Sequence, residues 1–140
     1  MQYWLIKSEP DAYSWDDLVK EEVGVWDGVR NYQARNNLKS MKLGDLALFY
    51  HSVSEKAVVG IAQVVKEFYQ DPTTEDERWV SVSFSAVRKL TNPVSLKQIK
   101  SEQRLENMAL LKLSRLSVSP LKQEEFEVIL ELSEQKNKDE

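Results

Sequence analysis

The stretch that decides the fold runs Val25-Trp26-Asp27-Gly28-Val29-Arg30-Asn31-Tyr32-Gln33-Ala34-Arg35-Asn36. An apolar pair, Val25-Trp26, enters Asp27-Gly28, a dipeptide that favours a surface turn. From Asn31 to Leu38 no Gly or Pro interrupts the chain, and Ala34 and Leu38 are spaced i, i+4. That spacing predicts a helix meeting a core along a narrow stripe. Trp26 has two readings here. A tryptophan in a globular chain is usually core, but one abutting a surface turn can also present its ring to a ligand.

Working outward, Gln2–Ile6 is aromatic and β-branched and predicts a first strand, ending at Lys7-Ser8-Glu9-Pro10. Proline lacks an amide donor and holds the preceding residue extended. Ser14 is placed to cap a short helix to Lys20, with Asp16 and Asp17 at its positive end. On the other side, Lys42-Leu43-Gly44-Asp45 reads as a turn and Leu46–His51 as a strand buried on both faces. Ala57–Glu67 is a second such strand, with Gly60 marking a bulge or a close approach. A polar loop, Gln70–Glu77, follows. Val80, Val82, Phe84 and Ala86 then alternate with Ser81, Ser83 and Ser85, which predicts one core face and one polar face. Pro93 and Ser95 introduce a short helix through Ile99, and a second is expected between Glu106 and Leu111. Arg115–Ser119 reads as a last strand stopped by Pro120. Lys122–Leu132 reads as an amphipathic helix with Phe126, Ile129 and Leu130 inward. One domain over residues 1–133 is expected, with an acidic tail over 134–140. About five strands interleaved with short helices, without a regular β-α-β alternation or Gly-rich turn, give an α+β architecture. It is a mixed, curled sheet surrounded by helices.

Composition narrows the function. The chain has no cysteine and one histidine, which removes disulfides, thiolate metal sites and a cysteine nucleophile, so no metal or cofactor is expected. No apolar run is long enough to span a bilayer, and no secretory leader precedes Met1-Gln2-Tyr3, so a cytoplasmic location without a membrane partner is the expectation. Of 19 basic and 23 acidic residues, three and seven lie in Lys122–Glu140, so the net charge of −4 resides there and the rest is neutral. That balance disfavours a high-affinity binder of nucleic-acid backbone, whose affinity rests on phosphate neutralisation. It leaves room for a pocket reading one base. No apolar surface stripe suggests an oligomer, so a monomer is expected.

Several short stretches occur in order: Tyr3-Trp4-Leu5-Ile6-Lys7-Ser8-Glu9-Pro10, the Val25–Asn36 run, Lys42-Leu43-Gly44-Asp45, Phe49-Tyr50-His51-Ser52, Val59-Gly60-Ile61-Ala62 and Ser114-Arg115-Leu116-Ser117-Val118. The series resembles the EVE domain, met also in the thymocyte nuclear protein family, from Tyr3 to about Leu132. The resemblance implies a PUA-like fold, a curved sheet approaching a barrel and wrapped by helices. It also implies binding of a modified base in DNA or RNA. In the related YTH domains a Lys-Ser pair and a Gly-Val-Trp triplet line the pocket, with tryptophan as one wall of an aromatic cage. Lys7-Ser8 and Gly24-Val25-Trp26 match these. The Gln70–Arg78 loop is shorter than is common in such domains, and Lys122 replaces the small hydroxyl residue that often caps the last helix. Neither departure touches the expected pocket core.

The expected reading is therefore non-enzymatic recognition of a base in an aromatic pocket. Trp26 is the stacking candidate, and stacking is worth about 1–3 kcal/mol per base. Ser8 and Asn31 either read the base edge or cap the chain locally. Asp27 lies beside Trp26, and Arg30 and Arg35 either meet phosphate or are merely solvated. His51 either is structural or, with Ser52, bonds a ligand. Arg115 and Ser117 share a face if the chain there is extended; Arg115 then meets a phosphate or a carboxylate within the protein. Two rivals remain. A small-molecule or protein-interaction module could use the same pocket, and Ser8, His51 and Asp27 can be drawn as a hydrolytic triad, although no nucleophile elbow, P-loop or HExxH motif accompanies them.

Overall fold

The computed structural model describes residues 1–135. Six strands, β1 (Tyr3–Ser8), β2 (Val23–Trp26), β3 (Leu46–His51), β4 (Ala57–Gln70), β5 (Val80–Ser95) and β6 (Val118–Leu121), are accompanied by five α-helices, with β3, β4 and β5 consecutive. The helices are α1 (Trp15–Glu21), α2 (Tyr32–Ser40), α3 (Leu96–Ser101), α4 (Ala109–Lys112) and α5 (Gln123–Glu134). The strands form one curved, unclosed sheet in the order β2-β5-β4-β3-β1-β6. Only β1 and β3 run parallel; every other pair is antiparallel. The mixed α+β expectation holds, with one strand more than the sequence pattern supplied. That strand is β2, four residues at a sheet edge, too short for alternation to register.

Both faces of the sheet centre are buried. Trp4, Ile6, Phe49, Val82 and Phe84 pack in one cluster with Trp15, Trp26 and Leu38. Leu5, Leu48, Tyr50, Val58 and Ile61 pack in another with Ile99, Met108, Phe126 and Ile129. The serine face of β5, expected to be polar in its surroundings, is instead enclosed at Ser81 and Ser83. Ser81 and Ser83 are buried, and the Ser83 hydroxyl pairs with the Tyr69 hydroxyl at 2.8 Å.

Local chemistry sets the element ends. Ser14 accepts the Asp17 amide while Asp17 returns a bond to the Ser14 amide, a capping box that starts α1. Lys122 supplies no such cap, and the Glu125 carboxylate takes its amide instead. Gly60 sits at a bulge in the β3–β4 ladder, and a Cβ there would fall 2.5 Å from the Trp15 ring. Pro120 lies inside β6 instead of ending it. β6 pairs only with β1, so a missing amide on its outer side is tolerated. That outer side is partly covered by α2, whose Asn37 side-chain amide donates to the Val118 carbonyl at 2.7 Å. Of the expected helix over Glu106–Leu111 only the part from Ala109 is helical, as the start of α4, and a 3-10 turn at Gln103–Leu105 precedes the range. Of the expected acidic tail, Glu134 belongs to α5 and residues 136–140 lie outside the described residues. Ser133, just before it, is buried and bonded through its hydroxyl to Asn92.

Candidate functional site

β1, the 9–14 connection, β2 and the turn into α2 converge on a cleft of 640 Å3. The turn depends on Gly28, whose φ of +73° is a left-handed conformation that side chains disfavour. Past it, Asn31 caps α2 by accepting the Ala34 amide at 2.9 Å. The cap occupies its side-chain oxygen and leaves its NH2 group, on an exposed residue, at the cleft.

Trp26 is packed as a core residue and also reaches the cleft wall. It is 8 % exposed and packs edge-to-face with Phe49 and Phe84 at 5.5 and 5.8 Å between ring centres, yet it lines the cleft. Tyr13, 6.1 Å away and perpendicular, adds a second aromatic wall. Its hydroxyl donates to Glu21, and burial first, then that carboxylate, pushes it above the ordinary phenol range. The Ser8 hydroxyl donates to the Tyr13 carbonyl at 2.5 Å, which ties the 8–13 loop and leaves the oxygen free to accept. Asp27 is exposed at the rim.

Arg30 closes one side and is held rigidly. Its guanidinium meets Asp71 at 2.9 Å and the Thr73 hydroxyl at 3.1 Å, and lies over Trp79. Asp71 is fully buried and also accepts the amides of Gly28 and Thr73 and the Thr73 hydroxyl. Burial would raise its pKa, but the Thr73 hydroxyl, Arg30 and the two amides outweigh it and hold it at about 2. The Gln70–Arg78 loop, expected to stand apart from the pocket, thus anchors both its turn and its arginine.

Lys7, Ser8, Trp26, Asp27, Arg30, Asn31 and Ser117 are brought together in this cleft. Ser52 and Arg115 are not. They line a second cleft of 520 Å3 that shares Lys7, Ser8, Glu9 and Ser117 with the first. The chain before Val118 is a turn and not a strand, so Arg115 is exposed and has no carboxylate partner among the described residues. His51 lines neither cleft. Its Nε2 accepts the Trp15 amide at 3.0 Å, which puts the ring proton on Nδ1, donated to Glu55 at 2.7 Å. With its ring so committed, and Ser8 bonded to Tyr13, no relay joins Ser8, His51 and Asp27. Arg35 stacks on Tyr32 and bonds Asn36, away from the cleft.

Tyr13 and Asp71 were missed by the sequence reading. An aromatic residue between a strand end and a helix cap was the available sign for Tyr13. Asp71-Pro72-Thr73 announced only a local turn, and nothing in it pointed 41 residues back to Arg30.

Comparison with known proteins agrees with this architecture. The thymocyte nuclear protein 1 of Gallus gallus is 38% identical over 96% of this chain and 69% of its own length. That of Homo sapiens is 37% identical over 94% and 74%. Their name overturns the cytoplasmic expectation, which rested only on missing leader and membrane segments. A solved protein from Agrobacterium tumefaciens superposes with a TM-score of 0.93 at 42% identity, covering 98% of this chain and 96% of its own. The human THYN1 protein, solved in complex with 5-methylcytosine-containing DNA, superposes with a TM-score of 0.91 at 36% identity, covering 98% and 100%. The EVE domain profile matches residues 2–132, so the chain belongs to the EVE domain family.

Proposed function

We propose that this protein reads a modified base in DNA, taking the base out of the helix into the cleft beside Trp26, and carries out no chemistry on it. The observation that carries the reading is the full-length likeness to a chain solved on 5-methylcytosine-containing DNA, with an open cleft where the aromatic and polar groups converge. Its 640 Å3 lies within the roughly 300–1,000 Å3 usual for clefts that engulf small ligands. Extracting a base costs a few kcal/mol, which stacking and edge contacts must return.

Trp26 and Tyr13 supply the stacking walls. Asp27 is placed to accept from an exocyclic amine such as that of cytosine, the usual pairing of a carboxylate with that base. The Ser8 oxygen adds an acceptor and the Asn31 NH2 a donor. Binding without turnover is supported by the commitments of His51 and Ser8, which are bonded to other partners and not to each other.

Fluorescence anisotropy with paired duplexes, one carrying a single 5-methylcytosine and one unmodified, tests this. Preference for the methylated duplex should be about tenfold or more, and Trp26→Ala should erase it, since stacking is worth about 1–3 kcal/mol. Equal affinity for both duplexes, tighter binding of the free nucleoside than of the strand, or release of a modified base as product would overturn the proposal.

A further inference from the structure

Three arginines elsewhere on the molecule are paired with carboxylates. Arg30 pairs with Asp71, Arg78 with Asp76, and Arg104 with Glu102 and Glu131. The second cleft is different. It gathers Lys7, Lys56 and Arg115 around a single carboxylate, Glu9. Through Lys56 and Leu96 it continues into a third cleft of 440 Å3 lined by Lys97 and Lys100. None of these five cations has a carboxylate partner among the described residues. The nearby Glu55 is bonded to His51. An unneutralised band of this kind, on a chain of net charge −4, leads away from the wall it shares with the base cleft.

We infer that this band, Lys7–Arg115–Lys56–Lys97–Lys100, is the track for the phosphodiester backbone flanking the extracted base. It rests on the base-reading proposal and adds the direction in which the strand leaves the cleft. The alternative exit, past the Tyr32–Trp79 shelf, offers Arg30 and Arg78, already neutralised by Asp71 and Asp76, and Arg35 as its one cation without a carboxylate among the described residues, against five in the band. Phosphates exchange counterions for protein cations only where those cations are free.

The loop that presents Lys56 is strained at two positions. Val53 and Lys56 adopt φ of 70° and 51°, left-handed values unfavourable for side chains and a frank outlier for a β-branched valine. The loop is pinned at its ends by the Ser52 amide on the Ser8 carbonyl and the Leu96 amide on the Lys56 carbonyl. The His51–Glu55 pair holds its middle. His51 and Ser52 thus serve the nucleic acid indirectly, by positioning Lys56. Lys7 is half-buried with only the Ser114 carbonyl for its ammonium group, and burial lowers its pKa. A phosphate beside it would supply the missing counter-charge.

The test measures affinity of the full chain for the 5-methylcytosine duplex across a salt series. Removing two phosphate contacts with Lys56→Gln/Arg115→Gln should reduce the slope of log K against log salt by about 2, at roughly 0.9 per contact. Lys97→Gln/Lys100→Gln, on an exposed helix face, should lower it too and guards against misfolding of the first pair. Lys39→Gln/Lys42→Gln removes the same charge elsewhere and should leave the slope unaltered. Preference for methylated over unmodified DNA should survive in every one of these variants. An unchanged slope in both track pairs, or an equal loss in the Lys39/Lys42 pair, overturns the track and leaves the base reading standing. A wild-type protein that binds no duplex overturns both.

Discussion

Replacing Asp71 by asparagine preserves shape and deletes one charge. The carboxylate it removes accepts from the Gly28 amide at 2.8 Å, Arg30 at 2.9 Å, the Thr73 amide at 2.7 Å and the Thr73 hydroxyl at 2.6 Å, on a fully buried residue. An asparagine can keep some of these bonds with one oxygen, but its NH2 must face a donor. Arg30 also loses its counter-ion. Charge-assisted bonds of this type contribute about 1.5–3 kcal/mol and do not add, so the net loss should be about 2–4 kcal/mol. For a domain of this size that lowers the melting temperature by about 7–14 °C. The pH dependence gives a sharper signature. Because the folded pKa is depressed from 3.8 to about 2, the stabilisation is full above the unfolded value and is lost as pH falls through the folded one. Urea midpoints of the wild type and Asp71→Asn should therefore converge between about pH 5 and about pH 2. A gap constant across that window, or a variant as stable as the wild type, would refute the claim that this carboxylate is ionised and holds the turn. Since Gly28 and Arg30 frame the base cleft, affinity for methylated DNA should weaken in parallel.

Other substitutions separate structural from ligand-facing roles. Gly60→Ala should cost about 1–3 kcal/mol in denaturant melts, because its Cβ would meet the Trp15 ring at 2.5 Å with no room to shift. His51→Ala should cost about 1–3 kcal/mol by leaving the Trp15 amide unsatisfied, while methyl-selectivity at saturating protein stability stays intact. Trp26→Ala should lose about 3–5 kcal/mol of stability together with selectivity, whereas Trp26→Phe should keep most of the fold, so calorimetry beside binding assigns the two losses.

How much of this was legible in the sequence follows from the range of each interaction. Ser14 and Asn31 cap helices because the amides they bind lie three residues on, and such short-range geometry is written in residue order. Gly60 was legible as an exception inside an apolar strand, although its reason, the Trp15 ring, was not. The buried serines of β5 were misread because alternation reports side-chain direction and not what covers each face; at Ser83 the partner is Tyr69 on the neighbouring strand. The same limit applies to the site. Trp26 and Ser8 were identified through the family resemblance, and the structure puts both on one cleft, but the division of Ser52 and Arg115 into a second cleft depends on the chain before Val118 turning instead of extending. Lys56 carried no signal at all. Its place beside Arg115 comes from a left-handed loop held by His51, Glu55 and the Leu96 amide, partners drawn from a strand end, the loop itself and a helix start. A binding surface for an extended polymer is assembled from such loops because loops escape the periodicity that strands and helices require. The proposed base-reading cleft could be found from a motif, while the proposed backbone track becomes visible only once distant loops are brought together.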